Sequence, residues 1–518
     1  MRAVLTKRDV FRFKAWQAGL LTLVLALGFG MIRSGASWGA SSSDPTGDPY
    51  SMQSITAGDG AQAWWQGGYT GKGVDVAVID TGVAPVAGLN TPGKVINGPD
   101  LSLESQSPGL QHLDTNGHGT FMAGLIAGND GQPGGYRGAA PDARIVSLKV
   151  GVADGGADVS QVIAAIDWVV QHRRDNGMNI RVLNLSYGTN STQAYGIDPL
   201  AYAVEQAWKA GIVVVAAAGN SGYQSGASAQ GLADPGYDPQ ILAVGTADTN
   251  GTATPWDDQV ASFSANAASC SNGCRGADLI APGAHMQGLR VPGSYIDVNN
   301  PAGVLSDRYF RGSGTSEATA FVSGAAADLL QRYPQLTADQ AKAMLTASCD
   351  KLASYNWKQQ GCGELDMSKL LNASVPSVFA SQQYNLPSTG MGSLEASRGT
   401  DHISLSGVLL QGEQDIFGMP FNSAAIAGLE AAGSSWSGGI WNGSLWTGSS
   451  WSGSSWSGSS WSGSSWSGSS WSGSSWSGSS WSGSSWSGSS WSGSSWSGSS
   501  WSGSSWSGGS WLGASWGR

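Results

Sequence analysis

The stretch "VDVAVID", residues 74–80, is an apolar run rich in β-branched residues that ends in an acidic residue. The stretches "RVLNLSYG", residues 181–188, and "GIVVVAAAGN", residues 211–220, have the same character. Continuous apolar runs of this length are typical of strands covered on both faces, as in a parallel sheet. The sequence therefore predicts buried strands at these three places.

Amphipathic helices are predicted between the strands. Asp158 can cap a helix with apolar residues at helical spacing that stops near residues 176–177. Pro199 suits the first position of a second helix, and Thr337 with Gln340 forms the capping box of a third. Alternating strands and helices predict an α/β fold, a doubly wound, mostly parallel sheet with helices on both faces. Catalytic groups in such sheets gather at the carboxyl ends of the strands.

The charge of the chain argues against nucleic acid as a partner. The 518 residues carry a net charge of -10, and only 12% of them are charged. Binding to nucleic acid depends on lysine and arginine side chains that neutralise phosphates. We therefore expect no nucleic-acid partner.

The N-terminus has the pattern of an export signal. Basic residues precede an apolar run over residues 18–32, and small residues follow up to Ala36. This order predicts a secretory signal peptide over residues 1–36, with cleavage near Ala36. An uncleaved signal anchor is the alternative. The run is short for a membrane span, so we expect a secreted protein.

Four cysteines follow in the predicted exported chain. An even number of cysteines in such a chain indicates disulfides, and three pairings are possible. The local pairing, Cys270 with Cys274 and Cys349 with Cys362, is favoured. Zinc is the alternative, but no histidine lies beside these cysteines at ligand spacing.

Four residues of the predicted α/β region have suitable types and positions for acyl transfer. His118 lies between two glycines at the start of an apolar helical stretch, and Asp80 ends a predicted buried strand. Ser316 begins another helix, and Asn220 follows a strand end. Each has an ordinary structural explanation when taken alone, such as a turn histidine or a capping serine.

Together, these residues supply every role that acyl transfer needs. Ser316 would attack a carbonyl carbon, and His118 would take and return the proton. Asp80 would orient the imidazole and stabilise its cation. Asn220 Nδ2 and the Ser316 amide would bind the oxyanion.

Four motifs in this order resemble those of the subtilases, the subtilisin-like serine proteases: "VAVIDTG", "NGHGTFMAG", "VVAAAGN" and "GTSEATAFVSG". The resemblance covers roughly residues 50–372, and it implies a secreted serine endopeptidase that acts on proteins or peptides. It implies the catalytic triad Asp80, His118 and Ser316, with Asn220 as oxyanion donor. It also implies that Ser186, Tyr187 and Gly188 form an edge that pairs with an extended substrate. The S1 pocket would be lined by Ala216, Ala217, Ala218 and Gly219.

The sequence departs from the family pattern in two places that matter here. Glu317 follows the proposed nucleophile, where many relatives have methionine. The family often binds calcium, but the loop "GNDGQPGGYRG", residues 128–138, lacks a clear spacing of carboxylates. No cofactor is certain from the sequence, and calcium is a possible one.

The chain is predicted to have four parts: the signal peptide, a peptidase domain over residues 41–375, an accessory module or linker over 376–435, and a repeat tail over 436–518. In the tail a tryptophan recurs every fifth residue from Trp436 to Trp516. Two structures are open, a flexible Ser/Gly chain and a four-sided β-coil with five residues per side.

The tryptophan rings suit stacking on sugars or anchoring at a membrane surface, so retention at the cell envelope or cell wall is our hypothesis for the tail. The alternative function for the whole chain is a catalytically idle wall or surface binding protein on a protease scaffold.

Overall fold

A computed structural model of the chain describes residues 47–105, 107, 109–222, 231–268, 274–405 and 408–446, and the backbone of short strands between residues 450 and 516. The predicted signal peptide lies outside the described residues and stays a prediction. Within the described residues, no helix has the length and apolar character that crossing a membrane requires.

The core of the fold is a mostly parallel sheet. Its strands, and the strands β9 and β10 of a second, smaller sheet, are β1 (Asp75–Asp80), β2 (Val95–Asp100), β3 (Arg144–Lys149), β4 (Ile180–Leu185), β5 (Val213–Ala217), β6 (Leu242–Asp248), β7 (Gln259–Val260), β8 (Leu279–Pro282), β9 (Met286–Leu289), β10 (Tyr309–Ser313), β11 (Cys349–Asp350) and β12 (Glu364–Leu365). The order in the sheet is β11-β12-β8-β6-β5-β4-β1-β3-β2, with β7 beside β6. All pairs are parallel except β6 with β7 and β11 with β12. The predicted fold class is confirmed.

The three apolar runs of the sequence form the centre of this sheet. Strands β1, β4 and β5 are buried at every residue. Since β5, β4 and β1 are neighbours and run parallel, their carboxyl ends lie side by side at one edge.

Helices cover both faces of the sheet. They are α1 (Met52–Gly58), α2 (Ala61–Gln66), α3 (His118–Ala127), α4 (Val159–His172), α5 (Pro199–Lys209), α6 (Tyr295–Asn299), α7 (Thr315–Arg332), α8 (Ala338–Ala347), α9 (Trp357–Gln360), α10 (Met367–Asn372), α11 (Val378–Ser381), α12 (Leu394–Arg398) and α13 (Ser423–Ala431). The predicted caps are present: Asp158 forms a capping box with Gln161, and Thr337 forms one with Gln340. Helix α4 ends at His172, and a short 3-10 turn, Asp175–Gly177, follows it.

Helix α7 is buried over most of its length, with Thr315 to Leu330 all buried. It packs against α3 and strands β4, β5, β6 and β8. Small side chains allow this contact: a Cβ at Gly324 would lie 2.5 Å from the Ala139 Cβ. The helix that begins at the proposed nucleophile is therefore held firmly against the sheet.

Residues after 375 pack on the core formed by the sheet and its helices. Arg398, fully buried, donates from Nε to Asp158 Oδ2 at 2.6 Å. Ser388 N donates to Glu205 Oε1 at 2.6 Å. Helix α12 lies against α4 and α5, and α13 lies against α5. These contacts place the segment against helices α4 and α5. Its boundaries as a separate module stay a prediction.

The first three tryptophans of the repeat belong to the hydrophobic core. Trp436, Trp441 and Trp446 are 7%, 0% and 4% exposed. Trp436 Nε1 donates to the carbonyl of Ala164 at 2.7 Å, and Trp441 Nε1 donates to Asp167 Oδ2 at 2.7 Å. The repeat thus begins inside the fold, against helix α4.

Further strands follow in and before the repeat: β13 (Ser404–Leu405), β14 (Val408–Leu409), β15 (Ile440–Trp441), β16 (Ser444–Leu445), β17 (Ser450–Gly453), β18 (Trp456–Ser457), β19 (Ser460–Ser462), β20 (Ser470–Gly473), β21 (Trp476–Ser477), β22 (Ser480–Ser482), β23 (Ser490–Gly493), β24 (Trp496–Ser497) and β25 (Ser515–Trp516). In the repeat, β17, β20 and β23 pair in parallel, as do β18, β21 and β24, and β19 with β22. Each residue pairs with the one twenty positions later, for example Trp451 with Trp471. Twenty residues are four pentads, the turn length of the four-sided coil. Near the end of the chain, β25 pairs antiparallel with β10.

One disulfide joins Cys349 and Cys362, with an S–S distance of 2.11 Å. It links β11 to the loop before β12. Cys270 lies outside the described residues, so its pairing with Cys274 stays a prediction.

Candidate active site

Three of the polar residues singled out in the sequence follow neighbouring strands. Asp80 is the last residue of β1, Ser186 follows β4, and Asn220 lies three residues after β5. Because these strands are parallel and adjacent, the three residues lie along the same edge of the sheet. Helices α3 and α7 begin with His118 and with Thr315–Ser316.

His118 and Asp80 form a buried pair. His118 Nδ1 lies 2.8 Å from Asp80 Oδ1 and 3.0 Å from Asp80 Oδ2, and both side chains are 1% exposed. The amide of Thr81 donates to Asp80 Oδ1 at 2.7 Å. With Nδ1–H donating to the carboxylate, the neutral ring carries its basic lone pair on Nε2. The pair has the geometry of a base and the group that orients it.

Asp114 shapes the turn that leads to His118, and sequence reasoning missed it. Its carboxylate accepts hydrogen bonds from the amides of Gly117 and Thr120, both at 2.7 Å, and from Thr81 Oγ1 at 2.8 Å. An aspartate a few residues before a helix start is a known signal for such a turn. Asp114 therefore ties the loop before α3 to the end of β1.

Gly119 allows the close approach of α3 to β1. A Cβ at this position would lie 2.2 Å from the carbonyl oxygen of Gly82 and 3.0 Å from Asp80 Oδ1. The glycine beside the histidine thus allows the start of α3 to contact the backbone that follows β1.

Carboxyl groups dominate the electrostatics around the imidazole. Burial lowers the pKa of His118, but the carboxylates of Asp80, Glu317 and Asp114 outweigh burial, so this pKa lies above its ordinary value. Burial raises the pKa of Asp80, against the attraction of His118. Burial also raises the pKa of Glu317 to about 7. The three carboxylates therefore favour the charged form of the imidazole, and burial opposes it.

Ser316 lies in the first turn of α7 and is fully buried. Its Oγ donates to the carbonyl of Ser186 at 3.3 Å, and Ser186 Oγ donates to the carbonyl of Ser316 at 3.2 Å. Asn184 Nδ2 donates to Ser186 Oγ at 3.0 Å, and Ser323 Oγ donates to Asn184 Oδ1 at 3.0 Å. This network joins the start of α7 to the end of β4.

Thr315 connects the loop of Asn220 to the nucleophile helix. Asn220 Oδ1 accepts from the Thr315 amide at 2.9 Å and from Thr315 Oγ1 at 3.1 Å. The amide of Gly219 donates to Thr315 Oγ1 at 3.2 Å. Since the oxygen and nitrogen of a carboxamide point apart, these bonds fix the direction of Asn220 Nδ2.

The residues assigned to substrate binding by resemblance lie beside this site. Ala216 and Ala217 belong to β5, and Ala218 follows it; all three are buried. Gly219 has a φ of 111°, a conformation that favours glycine. Tyr187 and Gly188 are buried as well. Their contact with a substrate stays a prediction.

The loop considered for calcium has other partners. Asp130 Oδ2 pairs with Arg308 at 2.9 Å and accepts from the Tyr136 amide at 3.1 Å. Its Oδ1 accepts from the Gln132 amide at 3.1 Å. Across the part of the chain that the structure describes, no group of three or more histidine, cysteine, aspartate or glutamate side chains suits a metal ion. Both carboxylate oxygens of Asp130 are thus engaged by protein groups of the loop and by Arg308.

Comparison with known proteins identifies one family. The model of the subtilase family matches residues 71–363. Serine protease AprX of Bacillus subtilis is 39% identical over 295 residues, which are 56% of this chain and 63% of that protein. Subtilisin DY of Bacillus licheniformis is 34% identical over 60% of this chain and 95% of its own. The crystal structure of a cold-adapted subtilisin-like serine proteinase aligns with 57% of this chain and 88% of its own, at 28% identity and a TM-score of 0.42. The chain thus spans less than two thirds of AprX but nearly all of subtilisin DY.

Proposed function

Because this chain belongs to the subtilase family, we propose that it is a serine endopeptidase with Asp80, His118 and Ser316 as its catalytic triad. The observation that carries the proposal is the buried hydrogen bond of 2.8 Å between His118 Nδ1 and Asp80 Oδ1. It leaves Nε2 as the basic atom of the neutral ring. A serine protease needs this arrangement in its general base.

Acylation begins when Ser316 Oγ attacks the carbonyl carbon of the scissile peptide bond. His118 Nε2 takes the hydroxyl proton as the new C–O bond forms, and Asp80 stabilises the resulting imidazolium. The tetrahedral intermediate collapses as the C–N bond breaks, and the leaving amine takes the proton from His118. Water then attacks the acyl-enzyme, with His118 as the base again, and releases the acid product.

The oxyanion of the intermediate is stabilised by the Ser316 amide and Asn220 Nδ2. The amide belongs to the N-terminal turn of an 18-residue helix, where the dipole favours negative charge. The bonds from Thr315 to Asn220 Oδ1 hold the carboxamide in one orientation. Such donors accelerate acyl transfer because they are oriented before charge develops.

The proposed substrates are proteins or peptides that bind in extended conformation along residues 186–188. Pairing through the backbone tolerates many side chains, so we expect a broad sequence range. Residues 216–219 would contact the side chain before the scissile bond.

Labelling with a fluorophosphonate tests the proposal. We expect modification of Ser316 and loss of casein hydrolysis in proportion to it. Ser316→Ala should keep the fold, as judged by circular dichroism, and lose both labelling and turnover. Ser354→Ala, at an exposed serine, is the matched control and should behave like the natural chain. A folded chain that neither labels at Ser316 nor hydrolyses casein would instead be an idle scaffold.

We also propose that the protein is exported and that its repeat tail holds it at the cell envelope. The N-terminal pattern supports export, and the periodic tryptophans support stacking on wall sugars. A chain that ends at Ser449 keeps the three buried tryptophans and lacks the rest of the repeat. It should remain in the supernatant of cell walls that sediment the full chain; equal sedimentation would contradict retention by the tail.

A further inference from the structure

The residues of the proposed active site are closed off from solvent in the full chain. Ser316 is 0% exposed and His118 is 1% exposed. The proposed substrate contacts, residues 186–188 and 216–219, are buried as well. Acylation requires the Ser316 hydroxyl to approach the carbonyl carbon of a bound peptide to about 3–3.5 Å. Part of the chain must therefore move before a protein substrate can bind.

Strand β10 leads directly into the helix of the nucleophile. It ends at Ser313, and Gly314 follows in extended conformation, with φ 172° and ψ 169°. Helix α7 begins at the next residue, Thr315. Consecutive Cα atoms are about 3.8 Å apart, so the Cα atoms of Ser313 and Ser316 lie at most about 11 Å apart. A segment that pairs with the end of β10 therefore lies beside the nucleophile.

The strand β25 of the repeat tail is paired with this end of β10. The order in this sheet is β25-β10-β9, so β10 has β9 on one edge and β25 on the other. The pairs with β25 are antiparallel and join Gly312 to Trp516 and Ser313 to Ser515. Without β25, β10 would be an edge strand, and its backbone N–H and C=O groups would be ready to pair with another extended chain.

We propose that this edge of β10 is a docking surface for an extended peptide segment, and that β25 occupies it in the full chain, so that the chain inhibits its own active site. The inference rests on the proposed function. An extended substrate that crosses Ser316 competes with β25 for the space beside the end of β10. Because β25 belongs to the same chain, its effective concentration is high and a short strand is enough to compete.

Inhibition of this kind slows the enzyme without abolishing its activity. The minor state of a two-state protein is populated at about 0.1–10%, and its apparent affinity for a substrate falls by the same fraction. The full chain should therefore still react with a fluorophosphonate and with casein. Its rates should be about tenfold or more below those of a chain in which β25 is displaced.

Two prolines in β25 test the pairing. Successive N–H groups of a strand point to opposite edges, so Ser515→Pro together with Trp516→Pro removes the donor that faces β10. We expect kcat/KM for casein and the second-order rate of labelling at Ser316 to rise about tenfold or more. The matched control is Trp496→Pro with Ser497→Pro in β24, which pairs with β21 and not with β10. It should leave both rates unchanged.

A second variant guards against an unexpected effect of the prolines. The chain that ends at Ser449 also lacks β25, and it should label at Ser316 as fast as the proline variant. If both variants are folded by circular dichroism and react no faster than the natural chain, the inference is wrong. An equal acceleration by the control in β24 would likewise show that inhibition does not depend on β25. If no variant labels or hydrolyses casein, the proposed function fails instead.

Hydrogen exchange measures the docking without any need for activity. In a Ser316→Ala background, mass spectrometry of the peptide that contains Gly312 and Ser313 reports the protection of their amides. The two prolines in β25 should speed exchange in this peptide, and those in β24 should not. Unchanged exchange in the β25 variant would overturn the docking of β25 on β10, even for a chain without turnover.

Discussion

At the scale of single residues, the site depends on how closely α3 approaches β1. His118 can reach Asp80 because Gly119, the next residue, has no side chain to hold the backbones apart. The nearest obstacle to a Cβ there is the carbonyl oxygen of Gly82, which cannot rotate away as a side chain can. Any added atom must therefore displace either the helix that carries His118 or the turn after Asp80.

This contact predicts a large cost for Gly119→Ala. We expect it to lower the free energy of unfolding by about 1–3 kcal/mol, the usual range for overpacking, because the Cβ would lie 2.2 Å from the Gly82 oxygen. Gly124→Ala on the same helix is the control: the three atoms nearest to its Cβ would all belong to the Leu289 side chain, at 3.0 Å or more. A better helix propensity of about 1 kcal/mol should offset that overlap. Urea unfolding in a Ser316→Ala background measures both; equal costs would refute the argument.

The residues that sequence reasoning identified are those with strong local signals. Asp80 ends an apolar run, and His118 lies between two glycines, so each is visible within a few positions of the chain. Thr315 and Ser186 carry weaker local signals, because their roles arise from contacts across the fold. Thr315 bonds Asn220, and Ser186 bonds the carbonyl of Ser316, 130 positions away. No pattern in the chain indicates these pairs.

Helices and strands also divide into those that the local sequence predicts and those that depend on distant contacts. The strands at the centre of the sheet and the caps of α4 and α8 were predictable, because apolar runs and capping residues act on adjacent backbone. The second role of Asp158 was not predictable. The carboxylate that caps α4 also binds Arg398, 240 positions later, in a fully buried ion pair. The segment after residue 375 has short elements, and its packing depends on such distant contacts.

Over the length of the chain, the repeat contacts the rest of the fold at both of its ends: its first tryptophans pack in the core, and β25 pairs with β10. The repeat reads as one uniform tail in the sequence, since every pentad has the same residues with few changes. In the structure its first three tryptophans are core residues, and Trp436 and Trp441 bond to α4. Its later strands pair with one another at a spacing of twenty residues. The uniform composition of the repeat therefore does not indicate that its first three tryptophans are buried. Their burial depends on the surface against which they pack.

Two truncations therefore have different expected effects on stability. A chain that ends at Ser449 keeps Trp436, Trp441 and Trp446, so its melting temperature in a Ser316→Ala background should stay within about 2 °C of the full chain. A chain that ends at Ser435 loses all three and leaves Asp167 without the Trp441 donor. Removing a buried tryptophan side chain costs about 3–5 kcal/mol, so this chain should melt roughly 10 °C lower or fail to fold. Calorimetry measures both, and similar melting of the two chains would mean that the buried tryptophans do not stabilise the peptidase fold.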